Sequence, residues 1–324
     1  METCDVLIYG AGAVGSVLGW LIARTGRHRV WVVCKSNFAQ VKEQGFQLHT
    51  TIWGNGVFTP HHVFEAGSAL QCMSQSGYAY IILANKIKTE QSRLQMLHDL
   101  QQVTTANTIL VSTQNGLGNE AALRNAFPNN PIISMVCNLV CCQVSPGVTE
   151  QRTSIKPHAF HAGVYGRISK TDFTTVESKA IESLIACDEQ FIVVDNALLE
   201  KWQKIVFNNA WNSMTALTGV NTHELFESPA AIELVRHLAD EACQIGIASG
   251  VEMGGMAPEK VLEIAKSCEP IVTSTLFDAR RGRALELAPI TGFLVAQAAR
   301  VGVQVPYTTD IYQQLKQMDS ALQA

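Results

Sequence analysis

Charge is sparse in this 324-residue chain: 16% of residues are charged, 24 Lys and Arg against 28 Asp and Glu, for a formal net charge of -4. So few basic residues generate no field that would gather a nucleic acid, and no polybasic run marks a membrane surface. Long apolar runs are missing as well. The longest candidate, Met135 to Val144, is interrupted by Asn138 and Gln143 and falls short of the roughly 18 residues a membrane helix needs. No charged and apolar leader precedes the first strand signal, so a cytoplasmic protein is expected. The chain also lacks low-complexity linkers and internal repeats. Cysteine, by contrast, is not lacking. Nine residues, an odd number, are scattered from Cys4 to Cys268 and include a vicinal Cys141-Cys142 pair, which reads as the thiols of a reducing compartment rather than a disulfide framework.

A chain of this length, 47% hydrophobic, exceeds the size at which one core usually stops growing, so two domains are expected. The first half alternates short apolar runs with helical patterns, which means parallel strands joined by crossover helices. Strands are expected at Val30 to Val33, Val57 to Val63, Tyr78 to Ala84, Thr108 to Ser112, Ile132 to Val144, Ala159 to Tyr165 and Phe191 to Val194. From Asn196 onward nearly everything reads as helix, the last one beginning after Pro306 with Thr308 as its cap. The expected fold is therefore α/β, a Rossmann-type N-terminal domain over 1-194 followed by a mainly helical C-terminal domain over 195-324, with a cleft between them.

The chain opens with Asp5-Val-Leu-Ile-Tyr-Gly10-Ala11-Gly12-Ala13-Val14-Gly15, an apolar run leading into G-x-G-x-x-G and a helix-compatible stretch. In that context Gly10 permits the tight turn after the strand, Gly12 lets the backbone approach a pyrophosphate, and Gly15 lets the helix pack on the sheet. The helix N-terminus adds free N-H groups and a positive dipole. An NAD-binding chain usually carries Asp or Glu about 20 residues beyond the glycines, whereas a cation there accommodates a 2'-phosphate. Here the position is Lys35, followed by Ser36 and Asn37 as further donors, with no carboxylate nearby. NADPH is expected over NADH.

In Trp202 to Asn212, Lys204, Asn208 and Asn212 recur every four residues. On a helix they line one face with an amine and two amides, a poor way to build a core and a good way to hold a small polar molecule. Two strand ends, Asn85-Lys86 and Asn115-Gly116, are further candidates, since open parallel sheets bind ligands beyond the carboxyl ends of their strands. His158 and His161 stand three apart in a stretch that reads as a loop, and with no Cys or carboxylate at ligand spacing no metal site is expected.

Together these residues resemble the ketopantoate reductase (2-dehydropantoate 2-reductase) family. The resemblance lies in the glycine motif, Lys86, Gln114-Asn115-Gly116-Leu117-Gly118, Trp202-Gln-Lys204 with Asn208 and Asn212, and Ser274 to Asp278 followed by Glu286. It implies NADPH-dependent reduction of a 2-keto acid, most simply 2-dehydropantoate to pantoate. Carried over residue by residue, it implies Lys204 as general acid, Glu286 beside it in catalysis, and substrate contacts from Asn115, Asn208, Asn212 and Ser274. Lys86 and Asn115 would lie where cofactor and active site meet, and Lys35 would take the place of the family's frequent Arg beside the 2'-phosphate. The chain departs from the family after Glu286, where Leu-Ala-Pro-Ile-Thr291-Gly292 replaces a stretch richer in acid and amide, so the reaction class is better defined than the substrate. Alternatives are a reductase of another branched 2-keto acid, an opine-type dehydrogenase, and an NADPH-binding regulator without turnover. A helical C-terminal domain with apolar faces is compatible with a homodimer.

Overall fold

The structure, a computed structural model, describes residues 4-68, 70 and 77-323. The chain divides into two compact units. Unit one comprises Met1–Lys86, Glu90–Gln114 and Asn119–Leu198; unit two comprises Ile87–Thr89, Asn115–Gly118 and Leu199–Ala324.

Unit one contains all twelve described strands: β1 Cys4–Tyr9, β2 His28–Cys34, β3 Phe46–Thr50, β4 Gly54–Phe58, β5 His62–Glu65, β6 Tyr80–Leu83, β7 Ile109–Ser112, β8 Ile132–Cys137, β9 Leu139–Ser145, β10 Val148–Ser154, β11 Phe160–Val164 and β12 Phe191–Val193. Eight form one sheet in the order β12-β11-β8-β7-β6-β1-β2-β5. From β8 to β5 neighbouring strands run parallel, and β11 turns antiparallel to β8. Val6, Leu7, Ile8, Ile81, Ile82, Leu110 and Val111 are at most 2% exposed, the burial on both faces that continuous apolar runs demand in a parallel sheet. Its helices are α1 Ala13–Ala23, α2 Phe38–Gln44, α3 Glu90–Gln101, α4 Asn119–Ala126 and α5 Thr175–Ile185, the last opened by a reciprocal Thr174-Glu177 capping box. β1 lies between β2 and β6, so the chain order reverses beside it, at the switch point where such sheets bind ligands.

The other four strands form a second sheet, β4-β3-β10-β9, which packs on α1. The Ser16 and Thr149 hydroxyls meet at 2.8 Å. A Cβ on Gly19 would lie 2.7 Å from the Phe58 ring, and one on Gly56 would lie 2.3 Å from the Trp20 ring. The sequence reading did not separate this sheet. The run expected as one strand over Val57 to Val63 is β4 and β5 in different sheets, broken at Thr59-Pro60; Pro has no N-H to give a ladder. The run Ile132 to Val144 is likewise β8 and β9, divided at Asn138, whose backbone N-H turns to the Ala159 carbonyl at 2.7 Å. The stretch holding His158 and His161 is not a loop throughout: β10 occupies Val148–Ser154, and His161 sits on β11, 7% exposed.

Every regular element described in unit two is helical. α6 Ala197–Phe207 crosses the boundary between the units and continues through a π-helical segment, Asn208–Asn212, into α7 Ser213–Thr218. Then come α8 Pro229–Ala248, α9 Pro258–Ser267, α10 Ser274–Arg280, a second π-helical segment Ala288–Gly292, α11 Phe293–Val301 and α12 Pro306–Gln323. Trp211, Val235, Leu238, Ile245 and Leu294 form the centre of its core, each 0% exposed. Ser228 caps α8 with Pro229 in its first turn. Thr308 does not cap α12 as expected. The buried Glu241 carboxylate reaches from α8 to accept from the Tyr307 and Thr308 backbone N-H groups at 3.0 and 2.7 Å. Glu286 itself lies outside the helices, and the chain enters a π turn two residues later, at Ala288. Among the described residues no helix is long and apolar enough to cross a membrane.

Candidate functional site

The sequence-derived candidates fall into two groups, one in each unit. In unit one, the end of β1 turns at Gly10, where φ is +99° and a Cβ would sit 2.4 Å from the Asn85 backbone nitrogen. Only glycine combines that dihedral with that approach. The Gly10 and Ala11 N-H groups both donate to the Val33 carbonyl, at 3.3 and 3.0 Å, which fixes the loop to the end of β2. Gly15 closes the first turn of α1 on the loop, since a Cβ there would lie 2.3 Å from the Gly10 carbonyl oxygen. Gly12 differs from both: a Cβ on it would meet nothing within 4 Å, and the residue is exposed. The loop therefore presents open space at Gly12, next to Ala13 and Val14. α1 has no side-chain cap and no acidic residue in its first turn, so its N-terminal donors and dipole face that space uncompensated. This arrangement fits a dinucleotide pyrophosphate.

Lys35 is exposed immediately after β2, and Lys86 is exposed beyond the end of β6. Asn37, expected as a donor to phosphate, has another task. It is 5% exposed and donates its amide to the Ala11 carbonyl at 2.8 Å, tying the turn after β2 to the glycine loop. Two further residues support the loop without having been given a role from sequence. Gln114 donates to the Asn85 carbonyl and side-chain oxygens at 3.1 and 2.9 Å, and Asn85 is the residue against which Gly10 packs. The signal was present as two amides at neighbouring strand ends, but pairing them needed the β6-β7 register. Behind the loop, Tyr9 donates to Asp99 at 2.6 Å. Burial, and secondarily the Asp99 carboxylate, push its phenol well above the ordinary range, keeping this anchor neutral.

In unit two, Lys204, Asn208 and Asn212 lie on the continuous helix from α6 to α7. Lys204 is half-buried; Asn208 and Asn212 are 6% and 7% exposed, and Asn212 donates to the Asn208 side-chain oxygen at 3.1 Å. The π segment alters the spacing argument in its favour. Four residues of α-helix overshoot a full turn by about 40°, whereas a π turn takes about 4.4 residues, so four fall short of it by roughly 30°. The drift from Lys204 to Asn208 is opposed by the drift from Asn208 to Asn212, which keeps the three groups on one face.

The second π segment packs against the first. Just before it, the half-buried Glu286 accepts a hydrogen bond from the Asn115 amide at 3.3 Å. Asn115 is held by its neighbours. The Leu117 N-H donates to the Pro289 carbonyl at 3.0 Å, and Gly116, at φ +77°, lies so close that a Cβ would be 1.9 Å from that oxygen. Ser274 is exposed and opens α10 directly after its cap, Thr273. Unit two thus joins Asn115 to Glu286 and Asn208 to Asn212 by hydrogen bonds. Such a set can donate to a carboxylate or carbonyl from the amides and accept from a hydroxyl at the carboxylate. π turns inside helices are frequent at functional sites. Among the described residues no group of three or more His, Cys, Asp or Glu could hold a metal ion.

The family model described as Ketopantoate reductase PanE/ApbA matches residues 6-164, and the model described as Ketopantoate reductase PanE/ApbA C terminal matches residues 196-319. The chain is 26% identical over 321 residues to a 2-dehydropantoate 2-reductase from Nostoc sp., covering 96% of this chain and 94% of the relative. It superposes on the crystal structure of 2-dehydropantoate 2-reductase from Methylococcus capsulatus with a TM-score of 0.81 at 25% identity, covering 99% and 98% of the two chains. The ternary structure of D-mandelate dehydrogenase with NADH and anilino(oxo)acetate shares the fold, with a TM-score of 0.84 at 20% identity over 99% of each chain.

Proposed function

The chain belongs to the ketopantoate reductase family, and on that premise we propose that it is an oxidoreductase that reduces a 2-keto acid, 2-dehydropantoate, to the 2-hydroxy acid at the expense of NADPH. The observation that carries the reading is the set in unit two: the Lys204-Asn208-Asn212 face with its π turn, beside Asn115 bonded to Glu286. When bound, the dinucleotide supplies the hydride that reduces the keto carbon. Gly10, Ala11, Gly12, Ala13, Val14 and Gly15 would hold its pyrophosphate, Lys35 would supply the cation for the 2'-phosphate, and Lys86 would stand where cofactor and active site meet.

Charge develops on the carbonyl oxygen as the keto carbon is reduced. The Lys204 ammonium stabilises that oxygen and delivers the proton that completes the hydroxyl. Asn115, Asn208, Asn212 and Ser274 orient the substrate's carboxylate and hydroxyl, and Glu286 accepts from a hydroxyl while holding Asn115 in place. A second reading, reduction of a different 2-keto acid with NADH, is favoured only by the fold shared with D-mandelate dehydrogenase, and fold alone does not assign substrate.

The test is NADPH oxidation, followed optically, with 2-dehydropantoate and a panel of other 2-keto acids, with and without amino acids. Lys204→Ala is expected to lower kcat/KM by about 10²- to 10⁴-fold, the usual contribution of a general acid. Lys35→Asp is expected to lower the preference for NADPH over NADH by roughly tenfold or more, the loss of a charge-assisted hydrogen bond worth about 1.5–3 kcal/mol. Turnover on another acid alone would change the substrate and keep the chemistry. Tight NADPH binding without turnover on any acid would make the protein a regulator.

A further inference from the structure

A line of hydrogen bonds inside unit two runs from the backbone of one residue assigned to substrate to the neighbour of another. The Thr215 hydroxyl lies 2.8 Å from the Thr273 hydroxyl and donates to the Asn212 carbonyl at 3.1 Å. Thr273 caps α10, accepting from the Leu276 N-H at 3.4 Å. Each hydroxyl has one proton, which fixes the directions: Thr215 gives its proton to Asn212, so Thr273 donates to Thr215, and Leu276 donates to Thr273. Thr215 and Thr273 are 0% and 4% exposed, so water does not substitute for either partner. The line begins at the last residue of the first π segment and ends at the residue immediately before Ser274.

We infer that Thr215 is a positioning residue that sets the separation of Asn212 and Ser274, and through it the fit of the 2-keto acid. The inference rests on the function proposed above. Thr215 has no part in the proton transfer and is not among the residues assigned to the dinucleotide, so its effect falls on substrate affinity. Removing its hydroxyl leaves a buried Thr273 O-H without its acceptor, a cost that the site relieves by letting the two elements shift.

Two variants separate the hydroxyl from the packing. Thr215→Val keeps the shape and loses the hydroxyl; Thr215→Ser keeps the hydroxyl and loses a methyl. Thr215→Val is expected to raise KM for 2-dehydropantoate about tenfold, in line with a buried polar group left unpaired, while KM for NADPH stays at the wild-type value. Thr215→Ser is expected to remain within about threefold of wild type. If Thr215→Val does not fold, Thr215→Ala removes the same hydroxyl without the branched side chain and takes its place. The inference is overturned by a wild-type substrate KM in the Val variant, by equal impairment in Val and Ser, or by a loss that falls on NADPH. A wild-type enzyme that reduces no 2-keto acid removes the proposed function and this inference with it, an outcome distinct from an active enzyme indifferent to Thr215→Val.

Discussion

Gly116 illustrates how much a single residue contributes to unit two. Its φ of +77° and the 1.9 Å that would separate a Cβ from the Pro289 oxygen leave no room for a side chain on either count. The clash is with backbone, so no rotamer change relieves it. Gly116→Ala is expected to destabilise the protein by about 2–4 kcal/mol, since left-handed strain and a core overlap add, and to weaken substrate binding as Asn115 moves from Glu286. A denaturant midpoint equal to wild type would show that the 115-118 turn is not held as described. From sequence, Asn115-Gly116 was readable as turn chemistry. That the turn is fastened to a π segment far along the chain was not, because nothing in either stretch names the other.

Among the elements, α12 owes its start to another helix. Pro306 marks where it begins, but the carboxylate that accepts its first N-H groups comes from Glu241 in α8. Glu241 is 6% exposed, so its replacement leaves two N-H groups in a site poor in water. Glu241→Ala is expected to cost about 1.5–3 kcal/mol, the range for hydrogen bonds to a charged group, and Glu241→Gln, which retains one acceptor oxygen, less. Equilibrium denaturation of the two variants is the check. The helix holding Lys204 shows the same dependence on packing. Its polar spacing is plain in the sequence, yet the π turn at Asn208–Asn212 is set by what surrounds it, because the spacing alone is equally compatible with an unbroken α-helix.

At the scale of the whole molecule, two cores divide the stability. One buries residues from Val6 to Phe191, the other Leu117 and residues from Trp202 to Leu315, with no residue in common. Chains built so depart from a single all-or-none transition. Calorimetry is expected to show a van't Hoff enthalpy below the calorimetric one. NADPH, the proposed cofactor, at about 100 times its Kd is expected to stabilise the transition of unit one by about 2.7 kcal/mol while moving that of unit two less. A single transition shifted as a whole would mean that the two cores unfold together.

The sequence by itself determined the α/β class, the Rossmann-type first half, the helical second half and membership of the ketopantoate reductase family, since each is written in local signals: apolar runs, glycine spacing, caps and a recurrent motif set. It also supplied the candidate residues of both units, from Gly10 to Glu286. Only the tertiary structure decided which of them touch. It separated a second sheet onto α1, gave Asn37 to the Ala11 carbonyl, bonded Asn115 to Glu286, and linked Thr215 to Thr273. The physical reason is range. Hydrophobic period and turn chemistry act over a few residues and are legible in one dimension, whereas a buried hydroxyl or amide finds its partner across 26 to 171 positions, where only the folded chain brings donor and acceptor together.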